Sequence, residues 1–167
     1  KHAVAVNSGT SGLHLCVRSL GLNDEDEVIT SPFSFVASAN VLLYEKAIPV
    51  FVDVDPKTLN IDPNKIEAAI TPKTKAIMVV HVFGRPSPMR EIVEISERYN
   101  LKIIEDACEA IGAESDGKKV GNIGDCGVFV FYPNKQIRTG EGGLIVTNNE
   151  LIAEKARMLR NQGRDSN

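Results

Sequence analysis

The chain predicts an α/β fold, a mostly parallel sheet with one antiparallel strand and helices on both faces. Three observations carry this. Short β-branched apolar runs alternate with helical stretches, the rhythm of a parallel sheet reached through crossover helices. The runs are continuously apolar rather than alternating, as strands covered on both faces are. Past residue 110 the rhythm breaks, and two further runs are joined by a link without helical pattern, as in an antiparallel pair.

The elements follow in order. HAVAV at 2–6 reads as a strand and leads into helical SGTSGLHLCVRSL. EVIT at 27–30 leads into SPFSFVASANVLLYE, and IPVFVDV at 48–54 into DPNKIEAAI. There Asp62 before Pro63 pairs an N-cap with proline at the first helical position. KAIMVVHV at 75–82 precedes SPMREIVEISERYN, where Ser87-Pro88 reads as the same device. LKIIE at 101–105 closes the regular series; GVFVFY at 127–132 and LIVTN at 144–148 are the pair joined by PNKQIRTGEGG. A last helix over about 149–161 carries Leu151, Ile152, Ala156 and Leu159 at helical spacing. Arg157 and Arg160 in its final turn complement the helix dipole.

At 167 residues the chain is about one domain with a sizeable core. It is 43% hydrophobic and 25% charged, a globular composition. The net charge of −3 comes without a basic block, which argues against a nucleic-acid partner. No apolar run is long enough to predict a membrane span. Cys16, Cys108 and Cys126 are odd in number and lack metal-site spacing, so we expect reduced thiols in a cytoplasmic protein and no metal. The chain opens on Lys1 directly into a strand and ends just after an amphipathic segment. We therefore expect a piece of a longer protein, one domain over 1–167.

Ligands of open parallel sheets bind at the carboxyl ends of the strands, and four candidates lie there. Ser8-Gly9-Thr10-Ser11-Gly12 is a small turn at a helix start that could cup a phosphate or merely cap the helix. It matches neither the Walker nor the dinucleotide glycine pattern. Asp106 ends a buried strand and could point into the crevice or cap a helix after it, and Glu109 could reach the same space. Lys135 comes after a strongly apolar strand and could be a desolvated, nucleophilic amine or an ordinary solvated loop lysine. Phe33 and Phe35 could stack on a flat ring, although core packing is expected for at least one. His81, at another strand end, reads as a hydrogen-bonded structural residue. Together these suit one cofactor, pyridoxal phosphate: a cup for its phosphate, an aromatic on its ring, a carboxylate for its ring nitrogen and a lysine for its aldehyde.

At this point the chain resembles the DegT/StrS family of nucleotide-sugar aminotransferases, within fold type I of the pyridoxal-phosphate enzymes. The resemblance runs through NSGTSGL, SPFSFVASANV, IPVFVDVDP, VHVFGRP, IIEDACEAIGA, GVFVFYPNKQIRTGEGGLIVTN and ARMLRNQG. It implies that Lys135 holds the cofactor covalently and that Asp106 partners the pyridine nitrogen. Thr10 and Ser11 would lie in the phosphate cup, Phe35 on the ring, and Glu109 near the ring hydroxyl. It implies an amino transfer, with glutamate as donor, to a keto group of a nucleotide-linked sugar, in a homodimer that shares its active sites. Lys135 argues against the dehydratase branch, which has histidine there. Two positions depart from the pattern: Val130 replaces a phosphate-contacting serine, and Gly12 a usual alanine. The family's amino-terminal arm and small carboxy-terminal domain are absent, so the piece alone is expected to be inactive. Two rivals stand beside this reading, an inactive or regulatory remnant of the fold and a generic nucleotide-binding module.

Overall fold

The computed structural model describes residues 1–164. Nine strands and five α-helices are ordered along the chain as β1 (His2–Val6), α1 (Gly9–Ser19), β2 (Glu27–Thr30), α2 (Ala37–Tyr44), β3 (Ile48–Phe51), α3 (Pro63–Ile66), β4 (Thr74–Val80), α4 (Met89–Tyr99), β5 (Lys102–Asp106), β6 (Glu114–Ser115), β7 (Lys118–Lys119), β8 (Cys126–Val130), β9 (Gly143–Thr147) and α5 (Glu150–Arg160) among the described residues. Seven strands form one sheet in the order β1-β9-β8-β5-β4-β2-β3. All adjacent pairs from β3 across to β8 are parallel. Strand β9 alone is reversed, antiparallel to both β8 and β1. The expected architecture, including its single antiparallel strand, is therefore the observed one.

The two sheet faces are read off the period of two along each strand. On β4, Ala76 and Met78 face a cluster with Leu13, Val41 and Ile152, from α1, α2 and α5. Ile77 and Val79 face the opposite cluster with Ile66, Met89, Ile92 and Ile95, from α3 and α4. On β5, Ile104 belongs to the first layer and Ile103 to the second. The same alternation sends Asp106 toward α2 and Glu105 toward the other side.

Capping chemistry fixes several boundaries. Ser8, in extended backbone, caps α1 by accepting from the Ser11 amide, Asp62 caps α3 through the Asn64 amide, and Asn149 caps α5 through Leu151 and Ile152. Ser87 does not cap α4. Its hydroxyl instead donates to the Val80 carbonyl at 2.8 Å, so Pro88 becomes the N-cap residue and the helix starts at Met89. The third strand is shorter than the apolar run, ending at Phe51, because β3 is the sheet edge. Its pattern is half exposed rather than buried on both faces, and Pro49 is tolerated there for the same reason. The β6–β7 hairpin was not legible in the sequence.

Gly12 has a steric reason. A Cβ there would lie 2.8 Å from Val128 Cγ1, so α1 lies closer to β8 than alanine allows. This accounts for glycine at the position where the family resemblance leads one to expect alanine.

Candidate active site

A cavity of about 770 Å³ opens at the carboxyl ends of the parallel strands. Its wall takes residues from the turn after β1, the loop after β2, the ends of β4, β5 and β8, and the segment entering β9. Of the residues expected in a site, Thr10, Phe35, Asp106, Glu109 and Lys135 all line it. Ser11 stands just behind the wall, with its hydroxyl accepting from Ser8 Oγ at 3.0 Å and its amide donating to the same oxygen.

The turn after β1 delivers the amino end of α1 to the cavity. The first amides of a helix have no partner within it, so those of Gly9 and Thr10 are available to an anion. Gly9 permits the close approach, since a Cβ there would meet Val130 Cβ at 2.9 Å and Cys108 Sγ at 3.2 Å. Val130, the residue in place of the expected serine, thus packs against this turn and offers no hydroxyl.

Asp106 ends β5 and is 7% exposed. Ser38 Oγ donates to its Oδ2 at 2.7 Å, and the Cys108 amide donates to its Oδ1 at 3.2 Å. Among the described residues no cation pairs with it. The chain after it turns rather than forming a helix, so Asp106 is not a helix cap. A buried carboxylate with two neutral donors and no counter-charge is an acceptor prepared for a cationic N–H.

Lys135 presents its amine to the same cavity, with its side chain only 15% exposed. Nζ donates to Glu109 Oε1 at 3.0 Å. The other oxygen of Glu109 accepts from the Phe83 amide at 3.0 Å, and its backbone carbonyl from Gln136 Nε2. Glu109 therefore ties the lysine segment to the loop after β4. In that loop Phe83 takes φ +52°, a rare backbone for a bulky residue. Asn60 pins the loop from below: it accepts from the Val82 amide at 2.9 Å and donates to the carbonyls of Arg85 and Pro86.

Phe33 and Phe35 depart from expectation together. They are 42% and 74% exposed, and neither packs in the core. They lie on the loop beyond β2, where the sheet and its covering helices have ended. Phe33 meets Phe83 edge to face, with centroids 6.0 Å apart, and Phe35 stands free at the cavity mouth.

Against this wall sits a buried polar cluster that the sequence concealed. Glu105 is fully buried and accepts from Gly121 N at 2.6 Å, Ile123 N at 2.7 Å, Gly124 N at 2.7 Å and His81 Nε2 at 3.0 Å. His81 Nδ1 accepts from the Ser87 amide at 3.0 Å, so the ring proton is on Nε2 and points at the carboxylate. His81 is hydrogen-bonded at both ring nitrogens, as expected, and also lines the cavity. The signal for Glu105 was a carboxylate inside an apolar strand, which has to be met by donors. Ser38 and Asn60 gave only the weaker signal of a small polar residue among apolar ones.

Cys108, beside Asp106, completes the wall. Burial, followed by the nearby Asp106 carboxylate, pushes its thiol well above the ordinary range. It is therefore a neutral packing group here rather than a nucleophile.

The parts suit pyridoxal phosphate. Amides at a helix start could take an anion, a carboxylate without an ion-pair partner among the described residues could take a ring N–H, and an amine and an exposed aromatic line the same cavity.

Comparison with known proteins agrees. The model of the DegT/DnrJ/EryC1/StrS aminotransferase family matches residues 1–167. GDP-perosamine synthase from Caulobacter vibrioides is 52% identical over 167 residues, covering 100% of this chain and 45% of that protein. Among solved structures, DesI in the presence of its TDP-sugar product has a TM-score of 0.94 at 37% identity, covering 99% of this chain and 42% of that one. NtdA from Bacillus subtilis with bound cofactor PMP has a TM-score of 0.88 at 42% identity, covering 95% and 36%. The chain thus spans less than half the length of the relatives it matches.

Proposed function

The chain belongs to the DegT/DnrJ/EryC1/StrS aminotransferase family, and on that premise we propose that it is the cofactor-binding large domain of a nucleotide-sugar aminotransferase. The observation that carries the reading is the convergence of the Lys135 amine and the uncompensated Asp106 carboxylate on one cavity. Pyridoxal phosphate, when bound, supplies an aldehyde that carries the amino group and a ring that accepts electron density from the reacting carbon. Lys135 would hold it through Nζ, Asp106 at its ring nitrogen, Phe35 on its ring face and Glu109 near its ring hydroxyl. Thr10 and Ser11, with the amides at the start of α1, would hold its phosphate.

The chain's own groups then have defined tasks. Asp106 keeps an anionic acceptor fixed at the floor of the cavity. Lys135, when its amine is free, is the general base and acid that carries a proton at Nζ. Glu109 holds that amine by an ion pair and hydrogen bond, so Nζ stays facing the cavity. The Asn60-pinned loop fixes Glu109 in turn through the Phe83 amide.

The finer reading is glutamate as amino donor, a keto group on a nucleotide-linked sugar as acceptor, and a cytoplasmic homodimer with shared active sites. The names of the relatives support the sugar substrate. Exposed Leu43 and Tyr44 on α2, with Ile48 and Phe51 on the edge strand β3, support apolar surface for a second copy to cover. The free thiols support a reducing compartment. Residues 1–167 would be the large domain of the longer protein and would be inactive alone.

The test is an end-point assay of the full-length protein with pyridoxal phosphate, L-glutamate and a nucleotide-linked keto sugar. Equimolar 2-oxoglutarate and amino sugar support the proposal. A protein that binds the cofactor but forms neither with any amino donor is an inactive or regulatory member, and the proposal fails.

A further inference from the structure

The cavity raises a question about how Asp106 is kept ready. A carboxylate turns easily about its last bond, and a buried one without a counter-ion tends to recruit a proton or swing toward another donor. Neither oxygen of Asp106 is left to do so. Cys108 N reaches Oδ1 at 3.2 Å from the chain's own turn, and Ser38 Oγ reaches Oδ2 at 2.7 Å from a different element. The two oxygens are thereby held by separate donors, which fixes the plane of the carboxylate. Each keeps further lone pairs for a donor arriving from the cavity.

Ser38 is placed for this and nothing else. It is the second residue of α2 and is fully buried. Its hydroxyl has Asp106 as its one hydrogen-bond partner among the described residues. It does not cap the helix either, since α2 has no side-chain cap. So near the start of the helix no carbonyl four residues back lies within it for the hydroxyl to take, and the hydroxyl turns to the carboxylate.

We propose that Ser38 is a positioning residue that holds the Asp106 carboxylate in plane, as an anionic acceptor for the ring nitrogen of the cofactor. The assignment rests on the functional reading of this site as a pyridoxal-phosphate site. Ser38 touches no reacting atom and acts only through Asp106, by donating one hydrogen bond to its Oδ2.

The experiment is a double-mutant cycle on the full-length protein with pyridoxal phosphate as probe. The dissociation constant is read from cofactor absorbance and fluorescence, and the unfolding midpoint of the cofactor-free protein is read separately. Ser38→Ala should weaken binding by about 10-fold, less than the full cost of removing a hydrogen bond to a charged group because the bond is also present before the cofactor arrives. In an Asp106→Ala background the same substitution should weaken it less than about twofold. Ser38→Thr, which keeps the hydroxyl, should bind at least fivefold tighter than Ser38→Ala. Ser38→Ala binding as tightly as wild type overturns the assignment. So does a loss of equal size in the Asp106→Ala background, which would mark Ser38 as packing alone. Wild-type protein that takes up no pyridoxal phosphate sinks the functional reading and this assignment with it, and that outcome is visible before any variant is made.

Discussion

Replacing Glu105 with glutamine exchanges one acceptor oxygen for an NH₂ donor and adds no bulk, yet it should be among the most damaging changes in the protein. The carboxylate serves four donors, two on each oxygen: Ile123 N and Gly124 N on Oε1, Gly121 N and His81 Nε2 on Oε2. Glutamine keeps one oxygen. With that oxygen facing Ile123 and Gly124, its NH₂ group confronts two donors. His81 cannot relieve this by moving its proton, because its other nitrogen already accepts from Ser87 N. Two buried donors are left unpaired, each costing about 1–3 kcal/mol. The expected loss is about 2–6 kcal/mol, set against a usual total of about 5–15 kcal/mol. Equilibrium urea unfolding of full-length Glu105→Gln should show a midpoint lowered accordingly at an unchanged slope. A variant within about 1 kcal/mol of wild type would refute the reasoning, and with it the claim that the carboxylate anchors the 121–124 turn.

Other perturbations act on single contacts. Gly12→Ala should destabilise by about 1–3 kcal/mol despite alanine's better helix propensity, because the new Cβ meets buried Val128; in a Val128→Ala background the same substitution should cost less in the same unfolding assay. Cys108 should alkylate slowly at neutral pH and faster as pH rises, since burial and then Asp106 raise its thiol. Removing the negative charge with Asp106→Asn lowers the thiol toward its ordinary range and should speed iodoacetamide labelling at pH 8, whereas Lys135→Ala removes a group that lowers it and should slow labelling. Lys135→Ala should also abolish transamination in the end-point assay, with full retained activity arguing against the assignment.

Much of this was legible in the sequence because it depends on local pattern. Continuous apolar runs gave the buried strands, and the unpatterned link before LIVTN gave the antiparallel one. Asp62-Pro63 marked a helix start correctly, whereas Ser87-Pro88 misled, because the Ser87 hydroxyl is claimed by Val80, a partner seven residues away that no local pattern reveals. The placement of Asp106, Glu109, Lys135, Thr10 and Phe35 around one cavity stems from their positions at strand ends. What the sequence hid are long-range pairings. Ser38 and Asp106 are 68 residues apart, and Asn60 and Val82 are 22 apart. Nor could spacing show that Phe33 stays out of the core, which depends on where the helices stop covering the sheet.

The central claim is that Lys135 is the residue that holds the cofactor. It is tested most directly by incubating the full-length protein with pyridoxal phosphate, reducing with borohydride and mapping the label by peptide mass spectrometry. The account predicts one pyridoxyl group per chain, on the peptide containing Lys135, and none on that peptide in Lys135→Ala. Stoichiometric label on another lysine, or tight binding with no covalent label at all, would contradict it.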